Sequence, residues 1–405
     1  METNKTLYQK LKLPPNRANL AVVGPLQNSN EVQQGLFSMG LTASDLEPID
    51  WRKSIISETR NQQQCGDCWA MSSTSALEDR FMIQKGYDSL RLQPGYLAQC
   101  LTEPGGSVNQ GCNGGLPYYA GKFFETVGSP EVGGNCPSWS SICTESNCNL
   151  PTCVDIAEDC KNSVIYKAIS GTTKNLPVAN GNNVDKATTI INMKKELING
   201  PFVVAFFVPN DFMVLGGDFN WNSTNGIFIN GAYNDWLDKN APSAVKQALG
   251  NPSGKQWQNI IMENGNPAGH AVEVVGWDTG NAGSYGQVNY WIVRNSWGSD
   301  WGDNGFFKIA MNDTDANNNQ YLGLDIPVSS LFIASTNTST PLGGLFGGGT
   351  SFEPDLNSGK AGNGPQSVPT KSNSHKRILM IVVGSVLAVV ILGFLLYILK
   401  KKRMI

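Results

Sequence analysis

Asn61-Gln62-Gln63-Gln64-Cys65-Gly66-Asp67-Cys68-Trp69-Ala70 is the run of residues from which the architecture of this chain follows. Its two cysteines are followed far downstream by Gly269-His270-Ala271 and by Asn295-Ser296-Trp297-Gly298. A thiol, an imidazole and an amide in this order are the components of an activated thiol nucleophile. The order of the three motifs therefore indicates nucleophilic catalysis by a cysteine.

The segment after Cys68 has apolar residues at helical spacing up to about Lys85, and Gly86 ends the pattern, which predicts a helix. The N-terminus of a helix favours an anion, so Cys68 lies where a thiolate is stabilised. The chain has 2 histidines, and one of them, His375, belongs to a polar segment outside the predicted globular part. His270 is therefore the candidate base, with the side-chain carbonyl of Asn295 orienting its ring.

Two other chemistries use cysteines at short spacings. Cys65-Gly66-Asp67-Cys68 taken alone is also the spacing of a redox pair, but such sites need a βαβ context. The later cysteines do not form two pairs of closely spaced ligands, which disfavours zinc. We therefore expect no metal and no other cofactor. His270 taken alone would be an ordinary packed histidine, and its place ahead of Asn295 favours the catalytic role.

Taken together, these motifs resemble those of the papain-like cysteine peptidases over roughly residues 46–330. Further blocks that resemble the family are Gly111-Cys112-Asn113-Gly114-Gly115, Asn199-Gly200-Pro201 and Trp301-Gly302-Asp303-Asn304-Gly305. The resemblance implies an α+β fold with a helical lobe and a β-barrel-like lobe. The chain is in keeping with this, because one helix comes first and β-rich runs follow at residues 202–208, 271–277, 290–294 and 306–310.

The resemblance also implies roles for single residues. Cys68 would be the nucleophile and His270 its base, oriented by Asn295, while the side chain of Gln62 and the backbone N–H of Cys68 would hold the oxyanion. The residues implied in substrate binding are Gly114, Gly115, Val203, Ala205, Ala271 and Trp297. The expected partners are thus polypeptide substrates, which the two glycines would bind as an added strand.

The 9 cysteines all fall between Cys65 and Cys160, which indicates a local disulfide framework with one thiol left over. Their pattern is closest to the cathepsin B branch of the family. That likeness implies four disulfides, which are Cys65–Cys112, Cys100–Cys153, Cys136–Cys160 and Cys143–Cys148. The cathepsin B branch owes its carboxydipeptidase action to loop histidines that this chain lacks, so we expect an endopeptidase. Residues 232–266 look like an insertion before His270 that shapes or covers the cleft.

The composition divides the chain into five segments. Residues 1–45 form a leader or short propeptide, residues 46–334 the peptidase domain, residues 335–377 a flexible Gly- and Ser-rich linker, residues 378–399 a membrane helix and residues 400–405 a basic tail. The net charge of -3 and the lack of a basic patch give no reason to expect nucleic-acid binding. The oligomeric state is not specified by any pattern.

The segment from Ile378 to Leu399 is an uncharged apolar stretch of 22 residues with basic flanks. At about 1.5 Å per residue it spans about 33 Å, enough to cross a lipid bilayer as a single-pass C-terminal anchor. The polar N-terminus shows no secretory signal, and large DNA viruses encode papain-like enzymes of this kind, which suggests the hypothesis of a virion or host membrane location. The alternative to a peptidase is a catalytically inactive papain-fold scaffold displayed on a membrane.

Overall fold

The computed structural model describes residues 46–54, 56–101, 111–145, 147–176, 179–180, 183–184, 186–215, 222–263, 266–311, 329–331 and 334–338. The predicted leader, most of the linker and the predicted membrane segment at 378–399 lie outside these ranges. Within the described ranges, no helix combines the length and the apolar character that a membrane span requires.

The central helix, α1, is the one predicted after the cysteine motif, and it spans Cys68–Lys85. Its residues from Cys68 to Met82 are buried on all sides, so α1 is the internal axis of the first lobe. The helix ends at Gly86, whose backbone is left-handed (φ 72°) and whose N–H donates to the carbonyl of Met82 over 3.0 Å. Glycine has no Cβ to oppose that conformation, which explains why the prediction of this helix is confirmed to its last residue.

Shorter elements surround α1 in the first lobe. They are α2 (Pro94–Cys100), α3 (Pro117–Thr126), α4 (Trp139–Ile142), α5 (Cys153–Asp159) and a 3₁₀ turn at Gly111–Asn113. Proline opens both α2 and α3, where its fixed φ suits a first helical turn and its missing N–H costs nothing. Strands β2 (Ser129–Pro130) and β3 (Ile165–Ala168) pair beside them.

The second lobe is built on one mainly antiparallel sheet. Its eight strands are β1 (Ile49–Asp50), β4 (Lys174–Asn175), β7 (Phe202–Phe207), β8 (Ile227–Phe228), β11 (Gly269–Asn281), β12 (Gln287–Arg294), β13 (Phe306–Ala310) and β14 (Ser329–Leu331). The strands follow the order β4-β14-β7-β11-β12-β13-β8, with β1 added on β11, and only the β13–β8 pair is parallel. The four strands predicted from the sequence are β7, β11, β12 and β13.

Further elements lie outside this sheet. They are α6 (Lys186–Leu197), α7 (Asn210–Leu215), the pair β5 (Ala179–Asn180) and β6 (Asn183–Val184), β15 (Ala334–Thr338), and 3₁₀ turns at Trp51–Lys53, Asn222–Thr224 and Gly283–Tyr285. Strand β15 pairs with β3 in the first lobe. Paired structure therefore continues to Thr338, beyond the predicted domain boundary at residue 334.

Strand β11 is longer than the run predicted at 271–277. Its first nine residues are buried, whereas the last four alternate between partly buried and exposed and pair with the start of β12. The polar sequence Asp278-Thr279-Gly280-Asn281 gives no apolar signal, because this end of the strand is held by pairing with β12 rather than by burial. The ladder places His270 opposite Phe206 and Ala271 opposite Ala205.

The sheet separates two hydrophobic cores. Successive side chains of a strand point to opposite faces, so neighbouring residues of β11 serve different lobes. Val272 and Val274 belong to the core of the second lobe. Ala271, with Val203 and Ala205 from β7, belongs to the core that contains α1 and Cys68.

The described residues 232–263 and 266–267 form a compact unit. The unit contains α8 (Asn234–Asn240), α9 (Ser243–Ala248), a 3₁₀ turn at Gly254–Gln258 and the hairpin of β9 (Met262–Glu263) and β10 (Asn266–Pro267). Trp257 is fully buried and its indole N–H donates to Asp238 Oδ1 over 2.7 Å, while Asp238 also accepts from the N–H of Gly254. Leu237 and Val245 join Trp257 in the core of the second lobe.

Candidate active site

The candidate nucleophile opens the central helix at the junction of the two lobes. Cys68 is the first residue of α1 and is almost fully buried. It is the one cysteine of the chain that forms no disulfide. The backbone N–H of Ala271, on β11, donates to Cys68 Sγ over 3.4 Å. The thiol is thus held between the helical lobe and the strand that carries His270.

The candidate base is held by the predicted amide. His270 Nε2 donates to Asn295 Oδ1 over 2.7 Å, and both residues are buried. Because Oδ1 can only accept, Nε2 carries the proton and Nδ1 is the nitrogen left to act on the thiol. Asn295 Oδ1 also accepts from the backbone N–H of Ser296 over 2.8 Å. This second bond fixes the amide, and through it the tautomer and tilt of the imidazole.

Aromatic rings enclose the imidazole on two sides. The Trp297 ring stacks on His270 with centroids 4.7 Å apart and an interplanar angle of 26°. Phe206, the partner of His270 in the β7–β11 ladder, presents its edge at 6.0 Å. The resemblance assigns Trp297 to substrate binding, and the structure places its indole over the ring face. The His270–Asn295 bond is thereby kept from bulk water, where it would be weaker.

The predicted oxyanion donor is tightly held. Gln62 is buried, its Nε2 donates to the carbonyl of Cys65 over 2.8 Å, and its Oε1 accepts from Ser296 Oγ over 2.6 Å. The bond to Cys65 uses one of the two protons of that amide, which leaves the other for a substrate oxygen. Backbone N–H groups of a first helical turn lie outside the intrahelical pattern, so the Cys68 amide is the second candidate donor.

Ser296 is the site residue that sequence reasoning missed. Besides its contact to Gln62 Oε1 it accepts, at its carbonyl, from the backbone N–H of Gln62 over 2.8 Å. Its own N–H donates to Asn295 Oδ1. The expected mechanism gives a hydroxyl group at this point no chemical step of its own, so the sequence offered no reason to select it. The one available signal was its position between Asn295 and Trp297.

Five of the six residues predicted to bind substrate, all except Trp297, fall in two places. Gly114 and Gly115 follow the turn at Gly111–Asn113, both are buried, and Gly114 has a φ of 110° that favours glycine. Val203, Ala205 and Ala271 are buried in the core that also contains Cys68. The structure therefore places the second group in the same core as the nucleophile, while the two glycines continue the segment that carries Cys112.

The structure contains the four disulfides that the resemblance implied. They are Cys65–Cys112, Cys100–Cys153, Cys136–Cys160 and Cys143–Cys148. Eight sulfurs are therefore consumed as bridges and are not thiolate ligands for zinc.

Two of these bridges lie against the oxyanion donor. The sulfurs of Cys65, Cys112 and Cys148 lie within 4.8 Å of one another, and Cys143 Sγ approaches the Gln62 carbonyl at 3.8 Å. The N–H of Gly66 donates to the carbonyl of Cys112 over 3.0 Å. The segment around Gln62 is thus cross-linked to the segment that contains Cys112, Gly114 and Gly115.

A buried charge cluster supports the segment just before Asn295. Arg294 donates to Asp79 Oδ2 on α1 over 2.7 Å and, through Nε, to Glu273 Oε2 on β11 over 2.9 Å. All three side chains are essentially inaccessible to water. Burial raises the pKa of the Glu273 carboxyl well above its ordinary value, against the attraction of Arg294, and repulsion from Asp79 adds to the rise. One guanidinium therefore donates hydrogen bonds to two buried carboxyl groups.

Comparison with known proteins places these features in a family. The family model described as "Papain family cysteine protease" matches residues 46–216 and 223–323. The chain is 31% identical over 279 residues to "Probable cysteine protease RD21C" of Arabidopsis thaliana, covering 68% of this chain and 46% of that protein. It is 27% identical over 260 residues to "Gut-specific cysteine proteinase" of Caenorhabditis elegans (63% and 64% covered). With "Cathepsin B-like CP2" of Giardia intestinalis the identity is 29% over 286 residues (68% and 73% covered).

Solved structures with a similar chain trace were also found. The digestive procathepsin L 3 of Tenebrio molitor larval midgut has 22% sequence identity and a TM-score of 0.48, with 80% of this chain and 78% of that chain covered. ProCathepsin B S9 from Trypanosoma congolense has 20% identity and a TM-score of 0.46, with 82% and 90% covered. The chain spans about half the length of the Arabidopsis relative and under two thirds of that of the nematode relative.

Proposed function

Because the chain belongs to the papain family of cysteine proteases, we propose that it is a thiol-dependent endopeptidase that cleaves polypeptides with Cys68 as nucleophile, His270 as acid and base, and Asn295 as the residue that orients His270. The single observation that carries the proposal is the 2.7 Å bond from His270 Nε2 to Asn295 Oδ1 beside the helix that Cys68 opens. That bond supports a histidine whose other nitrogen acts on the thiol.

The first half of the reaction forms an acyl-enzyme. The thiol proton passes from Cys68 Sγ to His270 Nδ1, and the thiolate attacks the carbonyl carbon of the scissile bond. The negative charge that develops on the substrate oxygen is stabilised by the remaining amide proton of Gln62 and by the Cys68 N–H. His270 then gives its proton to the leaving nitrogen, so the amine departs neutral and a thioester remains on Cys68.

The second half restores the enzyme. Neutral His270 takes a proton from a water molecule, the resulting hydroxide equivalent attacks the thioester, and the same two donors hold the second oxyanion. Collapse of this intermediate breaks the carbon–sulfur bond, releases the carboxylic acid and returns the proton to Sγ. The Trp297 ring over His270 supports both halves, because it limits the access of bulk water to the orienting bond.

Endopeptidase action is proposed from the lack of histidines in the cysteine-rich segment. The chain has 2 histidines, His270 and His375, so residues 136–160 supply no imidazolium that could bind a substrate's terminal carboxylate. A peptide with blocked ends should therefore be cleaved internally. The test is an internally quenched peptide library with both termini blocked, compared with matched peptides that carry a free C-terminus. Release of dipeptides only from the free C-terminus would contradict endopeptidase action.

The identity of the nucleophile has a direct test. An epoxide probe for thiol peptidases should label the wild type once, at Cys68, and should not label Cys68→Ala. The alternative, a catalytically inactive scaffold on the same fold, predicts no labelling and no cleavage by a folded wild-type protein. Labelling that survives Cys68→Ala would exclude Cys68 as the nucleophile.

We also propose that residues 378–399 anchor the protein in a bilayer. Support comes from the 22-residue uncharged apolar run between His375-Lys376-Arg377 and Lys400-Lys401-Lys402-Arg403. The full chain should remain with membranes in alkaline carbonate, whereas a chain lacking residues 378–399 should be released. Protease protection of the domain in intact membranes, or in purified virus particles, tests its sidedness and the proposed virion location. Release of both chains would contradict the anchor.

A further inference from the structure

A carboxyl group is buried beside the candidate nucleophile without a hydrogen bond from any other described residue. Asp67 directly precedes Cys68, it is 0% exposed, and neither of its carboxyl oxygens accepts a hydrogen bond from another residue in the described structure. Although it occupies the N-cap position of α1, its side chain caps no helical N–H. A carboxylate in that position would lose its water shell with nothing in exchange, which is costly, whereas the neutral acid is tolerated.

One cation acts on Asp67 from outside its own helix. Arg60, on the segment before the cysteine motif, is the cation that attracts it. However, the Arg60 guanidinium is already bound to Glu78 Oε1, to the Leu92 carbonyl at 2.8 Å and to Ser75 Oγ at 3.1 Å. Burial raises the pKa of Asp67 well above its ordinary value, and the attraction of its own backbone N–H and of Arg60 only partly opposes the rise.

The titratable groups of the proposed catalytic pair lie on α1 and on the strand packed against it. Cys68 follows it on α1, and His270 comes from β11, whose Ala271 N–H contacts Cys68 Sγ at 3.4 Å. A charge on Asp67 and a charge on the Cys68 thiolate would have the same sign on adjacent residues. The positive end of the 18-residue helix α1 would then have to stabilise two anions instead of one.

We propose that Asp67 is a positioning residue that acts through Cys68: as a neutral acid it leaves the start of α1 to the thiolate, and as a carboxylate it opposes the thiolate. Formation of the Cys68 thiolate and ionisation of Asp67 are then mutually unfavourable. The reactivity of Cys68 therefore falls as the pH rises through the titration of Asp67, which sets an upper pH limit on the enzyme. The inference rests on the proposed function for its effect on catalysis, and on Cys68 alone for its effect on thiol reactivity.

The test compares Asp67→Asn with wild type in two rate measurements between about pH 4.5 and pH 9. One is kcat/KM for a blocked peptide, and the other is the rate of Cys68 alkylation by iodoacetamide, followed by mass spectrometry. The two proteins should agree at the acid end, where the side chain at position 67 is neutral in both. At the alkaline end the variant should react faster, by roughly 30- to 100-fold, as expected for two like charges about 6–8 Å apart at an effective dielectric constant near 20.

Two further variants keep the experiment decisive. Asp88→Asn removes an exposed carboxyl beyond the other end of α1 and should leave both profiles unchanged. Asp67→Ser, which is smaller and also neutral, replaces Asp67→Asn if the latter does not fold. A neutral variant whose profiles run parallel to those of wild type over the whole range overturns the proposal.

The alkylation arm separates this inference from the proposed function. Iodoacetamide reports thiolate without peptide hydrolysis. A wild type that cleaves no peptide but shows the Asp67-dependent alkylation profile would sink the peptidase proposal and support the inference. Cleavage with parallel alkylation profiles would do the reverse.

Discussion

Ser296 connects the two halves of the catalytic apparatus through three hydrogen bonds. Its hydroxyl and carbonyl fix the side chain and the backbone of Gln62, and its N–H fixes the Asn295 oxygen that accepts from His270. The proposed oxyanion donor and the proposed orienting amide thus depend on the same residue. Only the contact to Gln62 Oε1 is made by the Ser296 side chain, because the contact to Asn295 comes from its backbone N–H. A substitution of the Ser296 side chain should therefore affect the stabilisation of charge on the substrate more than the formation of the thiolate.

We predict that Ser296→Ala lowers kcat/KM by about 10- to 100-fold. The substitution leaves the buried Gln62 Oε1 without its donor, which costs about 1–3 kcal/mol and frees the amide to turn. The Asn295 contact comes from the backbone and persists, so the iodoacetamide rate at Cys68 should change little. Ser299→Ala, at an exposed position of the same segment, is the matched control. An equal loss in both rates would contradict the separation of roles.

At the residue scale, sequence reasoning selected Gln62, Cys68, His270 and Asn295, and the structure gathers them at the lobe junction. Their roles remain predictions, since a role is a property of the reaction. Ser296 was not predicted because its contact to Gln62 joins positions 234 residues apart, and no sequence pattern indicates the distant partner of a single hydroxyl group. Asp67 was not predicted because a charged residue is ordinarily exposed, whereas here it is buried at the N-cap position of α1.

The inserted unit at 232–266 shows how short elements depend on tertiary contacts. Its helices α8 and α9 have 7 and 6 residues, too short to be stable alone in water. Trp257 connects them to the core of the second lobe, and its indole N–H reaches Asp238 at the end of α8. The sequence marked this stretch only as an insertion, because packing around one tryptophan, rather than periodicity, makes these elements form.

We predict that Trp257→Ala lowers the free energy of unfolding by about 3–5 kcal/mol, the usual cost of removing a fully buried aromatic ring. The deletion also leaves Asp238 without its indole donor. Trp236→Ala in the same unit is the matched control: Trp236 is 40% exposed, and its removal should cost about 1 kcal/mol or less. The measurement is urea-induced unfolding followed by circular dichroism. Equal destabilisation by both substitutions would mean that the unit is not docked through Trp257.

At the scale of the whole molecule, the two lobes are joined by buried ion pairs and hydrogen bonds that side chains of α1 form. Arg80 donates to Glu196 on α6 over 2.9 Å and to the carbonyl of Gly200 over 3.0 Å. Asp79 reaches Arg294 on β12. Such pairs contribute little net stability when complete, but removing one partner strands a buried charge at a cost of several kcal/mol. The relative position of the lobes is therefore held by the completeness of these pairs.

We predict that Glu273→Gln becomes more stable relative to wild type as the pH rises. The folded-state pKa of Glu273 is raised, so the native protein holds that proton more tightly than the unfolded chain does. The stability this provides is complete below the ordinary glutamate pKa and is lost as the pH rises toward the folded-state value. Glutamine keeps the shape, does not ionise and leaves Arg294 paired with Asp79.

Urea midpoints at pH 5 and pH 8 measure this difference. Glu158→Gln, at an exposed surface pair with Lys161, is the control and should track wild type at both pH values. A gap between Glu273→Gln and wild type that does not change with pH would show that Glu273 is ionised throughout.

The order of the strands is the part of the global fold that sequence reasoning could not supply. The runs that became β7, β11, β12 and β13 were recognisable from their apolar and β-branched residues. Strand β14, by contrast, comes late in the chain and inserts between β4 and β7. It has 3 residues, two of them serine, so its pairing is decided by the edge that β7 offers rather than by its own composition.

The distance along the chain between the two lobes also bears on how the protein is made. All 9 cysteines lie between residues 65 and 160, whereas the Ala271 N–H that contacts Cys68 Sγ is 203 residues away from it. At the usual pace of about 5–20 residues per second, a ribosome needs roughly 10–40 s to bridge that gap. During this interval all eight bridging cysteines have emerged, while the strand that covers Cys68 does not yet exist. A disulfide that forms during this interval forms beside an uncovered ninth thiol, so exchange with Cys68 competes with correct pairing until β11 has been made.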